Sequence, residues 1–137
     1  MTNDEEQLNL LSIFHFVLGG ATALFSCFPF IHVALGIAML AGAMDHGPNP
    51  PPRFIGLIFV VIGGVFILLG WTVAVLLLVA GQRLRKRRAH TFCFVVAAIS
   101  CLLMPLGTVL GIFTILVLNR PTVKAMFAPQ SAGPPAP

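Results

Sequence analysis

The sequence predicts an all-α integral membrane protein: a helical bundle of four to five membrane segments, arranged as an internal repeat of two Pro-turn helical hairpins around one long central helix. Three observations carry this expectation. Of the 137 residues, 58% are hydrophobic and 9% charged, with a mean hydropathy of +0.99, which leaves too little polar surface to coat a water-soluble globule. Every Asp, Glu, Lys and Arg falls outside the long apolar runs, as a hydrocarbon core requires. Finally, Phe14-His15-Phe16-Val17 recurs as Phe92-Cys93-Phe94-Val95. Gly19-Gly20 is answered by Ala97-Ala98, Thr22 by Ser100 and Leu24 by Leu102, with Pro29 and Pro105 following at similar distances.

The elements follow in chain order. The first apolar run is Leu8 to Phe28, and its helix is expected to start at Asn3, whose side chain can cap a first turn carrying Asp4, Glu5 and Glu6. Those acids stand where a signal peptide has basic residues, so the run is expected to stay in the protein. Pro29 separates it from Phe30 to Met44. The linker Asp45 to Arg53 contains Pro50-Pro51-Pro52 and cannot continue a helix. Phe54 to Gly81 then reaches roughly 40 Å as a helix, longer than the ~30 Å hydrocarbon core, so it tilts or protrudes. After the basic run come Thr91 to Met104 and Leu106 to Leu118, divided by Pro105. Arg120-Pro121 ends the last helix, and Val123, Lys124, Met126 and Phe127 form one amphipathic turn suited to lipid headgroups. Residues 1–128 thus read as a single transmembrane domain, and 129–137 as a disordered Pro-rich tail.

Charge ranks the topologies. Three spans with kinks at both prolines, or four spans with only the first repeat folded as a hairpin, divide the eight Lys and Arg five to three. Two hairpins put seven on one side and only Arg53 on the other, the bias that the positive-inside rule favours. In the four- and five-segment arrangements the N-terminus is outside and the Arg83–Arg88 loop cytoplasmic. The hairpin arms reach only about 20 Å, so the five-segment reading carries arms that are re-entrant or lie in a thinned bilayer.

Candidate sites are few. Membrane helices associate through small residues, and three stripes fit: Gly56, Gly63 and Gly70; Ala34, Ala38 and Gly42; and the GxxxG pair Gly107 and Gly111. Arg83, Arg85, Lys86, Arg87 and Arg88 form a basic run suited to anchoring on anionic lipid or docking an acidic partner. No nucleic-acid recognition module accompanies it. The apolar segments lack carboxylates, which argues against ion-coupled transport, and no hydrolytic or phosphate-binding motif is present. Cys27, Cys93 and Cys101 lack metal or disulfide spacing. No metal or cofactor is expected, although His15 and His32 are candidate haem ligands and the twelve phenylalanines suit a pigment, quinone or lipid.

The stretch Pro105-Leu106-Gly107-Thr108-Val109-Leu110-Gly111, continued by Thr114, Val117-Leu118 and Arg120-Pro121-Thr122-Val123-Lys124, resembles a pattern in small uncharacterised bacterial multi-pass membrane proteins. The resemblance implies a bacterial inner-membrane location and transfers no activity or site residue. The expected function is a structural or accessory subunit of a membrane protein complex, packing through the Gly/Ala faces. The alternatives are a homo-oligomeric channel or carrier for small neutral or apolar solutes, and a haem-binding electron-transfer subunit.

Overall fold

The computed structural model describes Thr2–Ala128, and among these residues it is all-helical: α1 (Asn3–Phe25), α2 (Phe30–Leu40), α3 (Arg53–Arg85), α4 (His90–Ser100), α5 (Leu106–Leu118) and α6 (Pro121–Phe127). The tail expected to be disordered lies outside the described residues. Two stretches are long and apolar enough to cross a membrane, Asn3–Leu40 with 38 residues and Arg53–Arg85 with 33; the bent pair α5–α6 makes a third if it is counted as one span. The chain divides into two compact units, one of Gly20–Val75 and one of Met1–Gly19 with Leu76–Pro137.

Within Gly20–Val75 the expected hairpin at Pro29 does not form. The chain crosses the proline through short-range bonds, Cys27 N–H to Leu24 O, Phe28 N–H to Phe25 O, Phe30 N–H to Cys27 O and Ile31 N–H to Phe28 O, each 3.0–3.2 Å. Pro29 itself is right-handed helical, φ −64° and ψ −9°. The missing amide therefore tightens one turn, as a proline in a helix can, and reversal never begins. The glycines of α3 explain what holds α2 in place. A methyl group on Gly36 would lie 2.6 Å from the carbonyl oxygen of Gly56, one on Gly56 2.8 Å from that of Gly36, and one on Gly63 2.8 Å from Val33 Cγ2. At Gly70 it would collide with the Ser26 hydroxyl. The seven-residue glycine stripe is thus filled by this chain's own α2 and the end of α1. Ala34 stays exposed and Ala38 half-buried. Gly42 belongs to no packing stripe: it sits beyond α2 with φ +77°, in a turn where Arg53 donates to Asp45 at 3.0 Å.

The other unit holds the main core. Leu8 and Leu11 of α1, Leu84 of α3, Cys93 of α4, Val117 and Leu118 of α5 and Val123 of α6 are buried together, with Leu110, Met126 and Phe127 against them. Here α4 and α5 do form the expected helical hairpin. Gly107 N–H donates to Leu103 O at 2.7 Å and Thr108 Oγ1 to Cys101 O at 2.7 Å at its turn; His90 Nε2–H donates to Leu118 O at 2.8 Å across its open end. Side chains on Gly107 and Gly111 would strike the carbonyl oxygens of Ser100 and Ala97. The arms of 11 and 13 residues measure about 17 and 20 Å, well short of a ~30 Å core.

Three further expectations change. The two sequence repeats adopt different forms, one a single bent span and the other a hairpin. Helix α1 is capped from Thr2 rather than Asn3: Thr2 O accepts Glu5 N–H and Glu6 N–H, and Glu5 reaches back to Thr2 N–H at 3.4 Å, half of a capping box. Finally, α6 turns 83° from α5 and buries Val123 completely, so its apolar side faces the protein core and not headgroups.

Candidate functional site

The first candidate is the charged end of the core-bearing unit. Asp4 accepts from Thr122 Oγ1 at 2.6 Å and from Arg120 Nη1 at 3.1 Å, and Arg120 also donates to Gln7 Oε1 at 2.9 Å. Glu5 accepts from Arg87 Nη2 at 2.6 Å. These bonds correct the expected sidedness, in which the acidic N-terminus and the basic loop stood on opposite faces: they lie at the same end of this unit. The reason lies within this unit: Glu5 and Asp4 find their cationic partners at Arg87 and Arg120.

Both carboxylates lie N-terminal to the apolar run that begins at Leu8. The Thr122 hydroxyl does most to hold the Asp4 carboxyl below its ordinary range; desolvation opposes it, and the Arg120 hydrogen bond and charge lower it further. Glu5 is lowered first by the Arg87 hydrogen bond, then by the Thr2 amide and the Arg87 charge. Arg83, Arg85, Lys86 and Arg88 are exposed, with the Arg83 guanidinium 5.2 Å from the centre of the Phe92 ring, a cation–π distance. Arg87 and Ala89 take left-handed φ values of 51° and 56°, which carries the chain abruptly from α3 into α4 and leaves this cationic turn on the surface.

The second candidate is His15. It is fully buried, and its Nδ1–H donates to Leu11 O at 2.9 Å. Nε2 is left with a lone pair and no partner among the described residues. Beside it Ser12 Oγ donates to Gly81 O at 2.7 Å, and a methyl group on Gly81 would lie 3.3 Å from His15 Cβ. A haem iron needs open space at a ring nitrogen, and this one is enclosed. His15 and His32 also belong to different units, and no group of three or more His, Cys, Asp or Glu suited to a metal occurs among the described residues.

The third candidate is His32. It is exposed on α2 beside the Pro29 bend, with its ring stacked on Phe59 at 5.9 Å and 20° and tilted against Phe28 at 6.4 Å. It lines a groove of about 280 Å³ with Pro29, Ile58, Phe59, Ile62, Gly63 and Phe66. The sequence singled out His32 and the phenylalanines separately. Their meeting depends on the α2–α3 register, which is set by the contacts of Gly36, Gly56 and Gly63. Thr122, which donates to Asp4, and Gln7, which accepts from Arg120, were likewise not singled out as site residues, since these bonds join positions 118 and 113 apart.

Comparison with protein families, with characterised proteins and with solved structures finds no match for this chain.

Proposed function

We propose that the protein is a structural or accessory subunit of a larger membrane assembly, held in a bacterial inner membrane by its two long helices. The observation that carries this reading is how little of those helices the chain covers itself: of the most apolar window in each span, 11% is buried. Leu24, Phe25, Leu68 and Leu69 are among the large side chains left outside. The glycine stripes are consumed within the chain, so association rests on these larger apolar side chains and on the half-open Ala34 and Ala38 face, through close packing in lipid. Seven of the eight Lys and Arg lie toward the end of α3 or beyond it, and the positive-inside rule makes that end cytoplasmic. Asp4 and Glu5 are bonded to it, so the N-terminus is cytoplasmic too. Arg83, Arg85, Lys86 and Arg88 remain free to meet anionic lipid, at about 1 kcal/mol each near the surface.

Native mass determination after mild-detergent extraction from the source membrane, with identification of everything bound, tests the reading. A defined assembly with other membrane proteins is the expected result. A monomer carrying only lipid overturns it, and a pure homo-oligomer favours the channel or carrier alternative.

A further inference from the structure

We infer that the groove at the Pro29 bend binds a planar, lipid-soluble ring bearing carbonyl oxygens, a quinone-class headgroup, with His32 as its hydrogen-bond donor. The argument begins with the cost of His32. Gly36 and Gly56 lock α2 against α3, which brings His32 onto Phe59. Counting along α3, Phe59 and Gly63 lie roughly 9 and 15 Å from Arg53, inside an apolar run. An imidazole ring at that depth costs several kcal/mol unless its N–H finds an acceptor. No hydrogen bond to His32 forms among the described residues; its contacts are the two aromatic rings. Lipid chains offer no acceptor, and a ligand seated in the groove beside the ring supplies one.

The walls select which ligand. Phe59 and Phe66 present ring surfaces, Ile58 and Ile62 complete an apolar lining, and aromatic faces favour an offset planar partner. At about 280 Å³ the groove takes one substituted ring and leaves an attached tail in lipid. It lies at the low end of small-molecule sites, which join an apolar lining to a few placed polar groups. A neutral ring with a carbonyl acceptor matches both the lining and the single donor; a charged headgroup matches neither.

The test uses the full chain in nanodiscs of synthetic phosphatidylcholine. A photoreactive azidoquinone is cross-linked with and without excess decylubiquinone, and labelled peptides are mapped. Saturable labelling of peptides containing residues 28–32 and 58–66, displaced by decylubiquinone, is expected. His32→Phe keeps the aromatic stack and removes the donor, and should weaken competition about tenfold. His32→Gln keeps a donor and should stay within about threefold of the parent. Ile62→Trp, at an exposed position, fills the groove without entering the α2–α3 contact and should abolish specific labelling. Circular dichroism checks that each variant keeps its helix content. Labelling that decylubiquinone does not displace, that maps elsewhere, or that survives both His32→Phe and Ile62→Trp overturns the proposal.

Discussion

At the scale of single residues, the interior polar side chains mostly satisfy themselves. Ser26, Ser100 and Thr114 donate to the carbonyl one turn back, at 2.6, 2.8 and 2.7 Å, and Ser12 reaches across to Gly81. His15 breaks the pattern, because one of its ring nitrogens is enclosed without a donor. An unmet buried acceptor costs about 1–3 kcal/mol. His15→Leu, of similar volume, is therefore expected to raise the free energy of unfolding in detergent by up to about 1 kcal/mol after some repacking. A clear loss of stability instead would show that Nε2 has a partner in the native membrane.

Asp4 supports a pH prediction at the same scale. Its folded carboxyl titrates below its ordinary value, so its contribution is present above about pH 4 and fades as pH falls through the lowered value. Thermal midpoints measured from pH 7 to pH 3 should fall more for the parent than for Asp4→Asn, which starts lower and changes less. Equal slopes for the two proteins would mean that the Thr122 and Arg120 contacts do not form in solution.

At the scale of elements, two helix pairs rest on backbone approach that only glycine permits. Gly36→Val introduces a β-carbon 2.6 Å from Gly56 O, and Gly111→Val one against Ala97 O with Cys101 Sγ 2.5 Å away. Each is expected to destabilise by about 1–3 kcal/mol through overpacking. Gly64→Ala, on the same helix and with nothing within 4 Å of its added carbon, should be close to neutral and is the internal control. Retained stability in Gly36→Val would remove the register that brings His32 to Phe59.

Much of this level was legible in the sequence. The apolar runs, the start of α3 after the prolines of 50–52 and the hairpin around Pro105 all follow from local chemistry. The first half was not legible, because proline is compatible with both a bend and a reversal and the deciding term is tertiary. Gly56, Gly63 and Gly70 offer α3 a long groove that a continuous partner fills. Charge counting could not have settled the matter. One bent half and one hairpin half also leave seven cations at one end, so the positive-inside bias does not distinguish this arrangement from two hairpins. What differs is the position of Asp4, Glu5 and Glu6, and acids contribute little to that rule. Of the three candidate sites, the basic run was visible as a run, and His32 as a residue, whereas the groove around it required the helix register.

At the scale of the whole molecule, sidedness gives the most direct check. Single cysteines in a background lacking Cys27, Cys93 and Cys101 can be labelled with an impermeant maleimide from either face of intact vesicles. Thr2→Cys and Arg88→Cys are expected to react from the same face, and Asn49→Cys, in the loop between α2 and α3, from the opposite one. Labelling of Thr2→Cys and Arg88→Cys from opposite faces would restore the hairpin at Pro29 and dissolve the Glu5–Arg87 contact.

The bond between Asp4 and Arg120 spans 116 positions of chain, and this separation orders the protein's birth. Residues 20–75 form one unbroken stretch with its own packing, which can close as soon as α3 has been synthesised. The opening half of α1 has no such neighbour at hand. Leu8, Leu11, Ser12 and His15 wait for the end of α3, and for Leu118 and Val123, before they are covered, and their flanking acids wait for Arg120 and Thr122. A nascent chain stalled after α3 would carry a finished two-helix stem and an unsheltered leading end, a form that insertion machinery and membrane proteases could tell from the complete protein. The first half of α1, although it precedes α3 in the chain, is among the last parts to be secured.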